Sequence, residues 1–260
     1  MAIITLTSDF GRDSPYVAVM KGVMLSIDPA ARIVDVTHGV PPQDVRAGAL
    51  VLADACHWFP PETIHVAVVD PGVGAERALV YARIGSQQFL APDNGLLSRL
   101  ALRSRPSTII ALTNVEYWLP QVSATFHGRD ILAPVAAHLS LGVAPERLGP
   151  PHPSLVELNW EEPRVTAGKI EGKVQAVDSF GNLITDITAE MLAGVPSGEQ
   201  TVIACDDHET LGLFRTYADQ PAMTLIALVG SSGHLELAIV GDSAAAMLGV
   251  RVGTPVTVKW

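Results

Sequence analysis

Along the first third of the chain, apolar residues switch between two periods. AIITLTS (2–8) is short and rich in β-branched residues, as in a buried strand. YVAVMKGVMLSI (16–27) spaces its apolar residues at helical intervals and predicts a helix. ARIVDVTH (31–38) predicts a second strand, DVRAGALVLADACHWF (44–59) a second amphipathic helix, and TIHVAVVD (63–70) a third strand. Strands and helices in this order predict an α/β domain with a largely parallel sheet. In such sheets ligands gather at the carboxyl ends of strands. Asp9, Asp35 with His38, and Asp70 all fall at predicted strand ends.

The pattern changes from about Pro145 to Gly168, where PERLGPPHPSLVELNWEEPRVTAG is proline-rich and carries no clean period. Beyond it come short alternating runs, GKIEGKVQAVDSFGNLITDI, TVIACDD, MTLIALVGSSGHLELAIV and TPVTVKW. The expected organisation is an α/β domain over 1–150, a Pro-rich linker over 151–168, and a smaller C-terminal β-barrel domain over 169–260.

With 260 residues, either one large domain or two modest ones can bury a core. Charged residues make up only 17% of the chain and the formal net charge is -10. That balance, with no basic run, excludes a nucleic-acid binder, because neutralising phosphates needs clustered Lys and Arg. No apolar run is long enough to cross a bilayer, so no membrane partner is expected. The start of the chain lacks the features of a secretory signal, and Cys56 and Cys205 match no zinc or redox spacing. A cytoplasmic protein is the expectation.

There is no dinucleotide fingerprint, P-loop, nucleophile elbow or zinc helix. Polar residues collect instead at turns: SDFGRD (8–13), VVDPGVGAER (68–77), APDNG (91–95), TFHGRD (125–130), VDSFGN (177–182) and GSSGHLE (230–236). Each taken singly is explained by turn chemistry, since Asp, Asn, Gly and Pro shape loops without any further role. Asp93, Asn94 and Gly95 keep that explanation, and His38 reads as a hydrogen-bonded structural histidine. Asp70, Arg77 and His127 together supply a carboxylate, a permanent cation and a titratable base, a set suited to orienting or activating water. Which of them takes a proton is left open by the sequence.

Read in order, TSDFGRDSPYVAVMKG, IVDVTHGVPPQDVRAGA, VAVVDPGVGAER, APDNGLL, TFHGRDILAPVAAHL, VDSFGNLITDI and SSGHLELAI resemble the S-adenosyl-L-methionine (SAM) hydroxide adenosyltransferases. These are adenosine-forming SAM hydrolases related to fluorinase and chlorinase. The resemblance covers nearly the whole chain. It implies an N-terminal α/β domain, a C-terminal β-barrel, and a homotrimer with active sites at subunit interfaces. It implies Asp70, Arg77 and His127 as the catalytic set and Asp9 as the ribose ligand. Asn182 would lie on the adenine side, Asp178 and Ser231 at the methionine end, and Glu236 with the backbone near Ile239 in the adenosine-binding segment. Halogenases of this group carry tyrosine where this chain has Asp70 and serine where it has Gly128. A halide beside a carboxylate would be repelled, whereas water would be oriented by it. The implied reaction is hydrolysis of SAM at C5′ to adenosine and L-methionine, without metal or cofactor. A non-catalytic adenosyl-binding protein, or a metal-dependent hydrolase using Asp9, Asp70 and His127 as ligands, are the alternatives.

Overall fold

The computed structural model describes residues 2–260 and divides into two compact units, the first running to Asn159 and the second spanning Trp160–Trp260. The first unit contains strands β1 (Ile3–Ser8), β2 (Arg32–Thr37), β3 (Ile64–Val68), β4 (Leu79–Ile84), β5 (Gln87–Pro92) and β6 (Pro106–Ala111). Its main helices are α1 (Tyr16–Ile27), α2 (Val45–Ala55), α3 (Ser98–Arg103) and α4 (Ala133–Ser140). The strands lie in the order β2-β1-β3-β5-β4-β6. β2, β1, β3 and β5 run parallel, while β4 pairs antiparallel with both β5 and β6.

Strand β3 explains why its sequence reads as an unbroken apolar run. Successive side chains point to opposite faces, and both faces are covered. Ile64, Val66 and Val68 join the core beneath α1 and α4, with Met20 and Met24. Ala67, just before Val68, and Val69, just after it, join the core beneath α2, with Leu52, Phe89 and Leu96. This sandwich is the three-layer α/β arrangement the alternating periods predict.

Helix ends follow local chemistry. Asp28 leaves the helical region, because Pro29 disfavours it there, and its carboxylate accepts from Ala30 N–H and Ser140 Oγ–H. Asp44 caps α2 by accepting from Ala47 N–H at 2.9 Å. The helix expected to reach residue 59 stops at Ala55 and tightens into a short 3-10 turn over Cys56–Trp58. Pro60 forces Phe59 into an extended conformation, and the helix cannot continue.

The second unit is an antiparallel, nearly closed sheet. Its strands are β7 (Arg164–Thr166), β8 (Lys169–Val177), β9 (Leu183–Thr188), β10 (Val202–Cys205), β11 (His208–Leu211), β12 (Leu225–Val229), β13 (His234–Ile239) and β14 (Pro255–Lys259). The order is β11-β10-β14-β8-β9-β13-β12, with β7 on β8 and a short helix α5 (Ala244–Leu248) beside β13. The two ends approach each other: Phe214 N–H donates to Ala227 O at 2.8 Å, and Thr210 Oγ–H to Leu225 O at 2.8 Å. Alternate residues such as Ile203 and Cys205, Leu235 and Leu237, and Val256 and Val258 fill the interior.

Candidate active site

The register of the first sheet creates the site. β1 pairs with β3 so that Ser8 lies opposite Val68. The chain leaves both strands at the same edge, and Asp9 and Asp70 emerge side by side where the crossover topology opens a crevice. Asp9 accepts from Gln43 N–H at 2.8 Å. With about four lone-pair directions, a carboxylate bound once still has acceptor capacity to spare.

After β3 the backbone turns through PGVG, closed by Val73 N–H to Asp70 O at 3.2 Å and Ala75 N–H to Gly72 O at 3.0 Å. Gly74 sits at φ +83, and a Cβ there would stand 2.7 Å from Ala124 O. Only glycine allows both the left-handed backbone and that approach. The turn returns Arg77 onto Asp70. Nε donates to both carboxylate oxygens at 3.1 and 2.9 Å, and Nη2 to Oδ2 at 2.5 Å. The side chains are only 12% and 7% exposed, so the pair is largely withdrawn from water.

Arg77 Nη2 also lies 2.9 Å from His127 Nδ1. A guanidinium has donors and no acceptor, so Nδ1 must accept and the ring proton must sit on Nε2. Burial, and then the positive charge of Arg77, hold the His127 imidazole below its ordinary value despite the opposing influence of Asp70 and Asp130. His127 is therefore a neutral ring in a defined tautomer. It immediately precedes a π-helical turn over Gly128–Leu132, a feature that recurs at functional sites. A Cβ on Gly128 would lie 3.3 Å from Val68 Cγ1 and 3.4 Å from Met20 Sδ. The position where halogenases carry serine is here packed against the core.

Asp9, Asp70 and His127 line one cavity of about 370 Å³, within the range of small-molecule sites. Arg77 is not among its lining residues and supports Asp70 and His127 from behind. The walls include residues the sequence reading did not single out. Phe10, Tyr16 and Phe126 pack edge to face, with ring centroids 5.3 to 5.6 Å apart. Tyr16 and Phe126 are separated by most of the first unit in sequence, so no local pattern announces the cluster. His38 accepts or donates to Ser8 Oγ at 2.8 Å and lies 3.1 Å from Asp35, which pairs with Lys21. That network is structural support behind Asp9.

Among the described residues, no group of three or more His, Cys, Asp or Glu is arranged to hold a metal ion. None of the helices among them is long and apolar enough to cross a membrane.

The remaining sequence candidates lie in the second unit. Asn182 and Ile239 line a cavity of about 630 Å³ with Phe180, Tyr217 and Ser243. Asp178 accepts from Phe180 N–H, Asn182 N–H and Asn182 Nδ2, fixing both the 178–182 turn and the amide of Asn182. Gly181, at φ +84, is demanded by the turn, because a Cβ would stand 2.0 Å from Ser243 Oγ. Glu236 is buried and accepts from Tyr217 O–H. Burial, with help from Asp178, pushes its carboxyl above the usual range. Ser231 is exposed at the tip of the β12–β13 hairpin and does not line that cavity.

The SAM hydroxide adenosyltransferase N-terminal domain matches residues 4–149, and the C-terminal domain of the same name matches 172–257. An (R)-S-adenosyl-L-methionine hydrolase from Thermus thermophilus is 38% identical over 98% of this chain and 99% of its own length. A fluorinase from Actinopolyspora mzabensis is 29% identical over 98% of this chain and 96% of its own. A crystal structure of a Thermotoga maritima protein, 36% identical, superposes with a TM-score of 0.94 over 99% of this chain and all of the other. The chain belongs to the SAM hydroxide adenosyltransferase family.

Proposed function

We propose that this protein hydrolyses SAM, with water attacking C5′ to release adenosine, L-methionine and a proton. The observation that carries the reading is the Asp70–Arg77–His127 contact beside a cavity that Asp9 also lines. It occurs in a chain matched along nearly its full length by proteins named (R)-S-adenosyl-L-methionine hydrolase.

The chemistry asks little of the leaving group. A sulfonium departs as a neutral thioether and needs no general acid. What the protein must supply is a dry pocket, in-line alignment and a destination for the water proton. Alignment alone can contribute on the order of 7 kcal/mol. Asp9 would accept from the ribose hydroxyls. With Nδ1 of His127 committed to Arg77 and the ring proton on Nε2, the neutral imidazole has no free lone pair to take the water proton. That leaves Asp70 as the acceptor, its orientation fixed by Arg77. No metal or cofactor enters this scheme.

In the same proposal, Asn182 meets the adenine side, Asp178 and Ser231 the methionine end, and Glu236 with the backbone near Ile239 the adenosine. A homotrimer with sites at subunit interfaces and a cytoplasmic setting also belong to it. The names of the relatives specify one sulfonium epimer, and we extend that preference to this chain. The test is incubation of purified protein with SAM, excess EDTA present, and chromatography of the products. Adenosine and methionine in equal amounts are expected. Loss of activity on chelation, restored by zinc or manganese, would overturn the metal-free scheme, and absence of both products would overturn the function.

A further inference from the structure

The scheme above needs His127 held where its Nδ1 meets Arg77, and neither residue does this alone. We propose that Asp130 is the positioning residue for His127, clasping the loop that carries it through Ser123; this rests on the hydrolase reading of the site.

Asp130 is fully buried. A buried carboxylate is costly unless its lone pairs are met, and here they are. It accepts from Ser123 N–H at 2.8 Å, Ser123 Oγ–H at 2.8 Å, Arg129 Nε at 2.5 Å and Arg129 Nη2 at 3.0 Å. Burial alone would push its carboxyl up, but these donors outweigh that and hold it below the ordinary range. The anion is therefore a fixed charge inside the fold, distinct from the reacting carboxylate.

Its bonds close a loop of the chain around residues 119–130. Ser123 Oγ, donating to Asp130, accepts from Phe126 N–H at 3.1 Å. Phe126 O in turn accepts from both Arg129 N–H and Asp130 N–H at 3.1 Å. Asp130 O accepts from Leu119 N–H at 2.9 Å, tying down the far end of the loop. His127 sits inside this closed circuit, one residue after Phe126 and three before Asp130. On one side Ala124 O abuts Gly74 of the Asp70–Arg77 turn, and on the other Gly128 abuts Val68. The clasp sets where the imidazole stands, and the two glycine contacts set it against the turn that carries Arg77. Asp130 touches neither the cavity that Asp9 and Asp70 line nor any reacting atom, so its action is through His127.

The test uses the whole protein and two readouts. Nitrogen-15 NMR of the His127 ring, without substrate, reads the tautomer. Steady-state kinetics read kcat and KM. The unaltered protein should show a single Nε2–H tautomer. In Asp130→Asn the amide must turn a donor toward Ser123 or Arg129, and His127 should divide between tautomers. Turnover should then fall about 100-fold with KM unchanged, the loss typical of a reacting group displaced by about an ångström. Ser123→Ala removes one bond and should move both readouts the same way but less, and it serves if Asp130→Asn does not fold. A folded variant that loses turnover or melting temperature while its His127 tautomer stays that of the unaltered protein would overturn the proposal. So would failure of both variants to fold, which would assign Asp130 to the fold in general. If the unaltered protein does not hydrolyse SAM, the hydrolase reading fails, yet the tautomer measurement still decides whether Asp130 positions His127.

Discussion

Replacing Asp70 by Asn separates a catalytic carboxylate from a turn former. Asn is nearly isosteric and favours the same turns, so the PGVG turn, with its Val73 and Ala75 hydrogen bonds, should persist. What changes is the face toward Arg77 and the cavity. Arg77 sends three N–H bonds into the two oxygens of Asp70. An amide has only one oxygen to offer Arg77, and its NH2 puts a donor where the other carboxylate oxygen accepted. Loss of the charged partner should cost about 1.5–3 kcal/mol of stability, the range for hydrogen bonds to charged groups, so the melting temperature should fall by several degrees. Loss of the proton acceptor should lower turnover by about 10²–10⁴-fold, or about 3–5 kcal/mol of barrier. His127 should stay neutral, because Asp70 is one of the charges that favour its protonation. The assay is turnover of SAM beside SAM affinity and thermal melting. A folded Asp70→Asn protein that binds SAM and turns it over near the normal rate would refute the assignment of Asp70 as acceptor.

Asp9→Ala should weaken adenosine and SAM binding, and 2′-deoxyadenosine should be penalised relative to adenosine only in the unaltered protein; equal penalties in both, by calorimetry, would remove Asp9 from the ribose. Gly128→Ser must fit a Cβ within 3.3 Å of Val68 Cγ1, so it should lose about 1–3 kcal/mol of stability by overpacking. It should still make no 5′-fluoro product in fluoride, since Asp70 remains, and detection of that product by mass spectrometry would refute the argument. His65 is buried, bonded to Thr5 Oγ at 2.7 Å, and burial holds its imidazole down at about 4. A depressed folded value means the unfolded chain takes up the proton first, so stability should be lost as pH falls from about 6.5 to about 4, by about 3 kcal/mol. His65→Gln should flatten that part of the urea-unfolding profile, and an unchanged slope would count against the assignment.

The reach of the sequence depended on how local each signal was. The helix at Tyr16–Ile27 and the strands around Asp9 and Asp70 were legible because their periods are carried by consecutive residues. So was the α/β and barrel fold class. The expected second helix overran by a few residues because the brake is Pro60, acting on Phe59 rather than on the apolar pattern. Strands β4, β5 and β6 went unassigned. β4 and β5 are joined by a two-residue turn and β4 pairs antiparallel with both β5 and β6, so the regular strand–helix alternation that marks β1 to β3 breaks there. The Asp70–Arg77 contact was readable from a single turn, but their meeting with His127 depends on close approach between Gly74 and Ala124, which spacing alone cannot reveal. The aromatic wall of Phe10, Tyr16 and Phe126 and the buried clasp of Ser123 and Asp130 were hidden for the same reason: they are made by packing between distant segments.

The central claim is attack of water on C5′ of SAM, and oxygen labelling tests it most directly. The purified protein is incubated with SAM in water enriched in oxygen-18, and both products are analysed by mass spectrometry. The account predicts one labelled oxygen on the 5′ carbon of adenosine and none in methionine. Label in methionine, or adenosine formed without label, would contradict it.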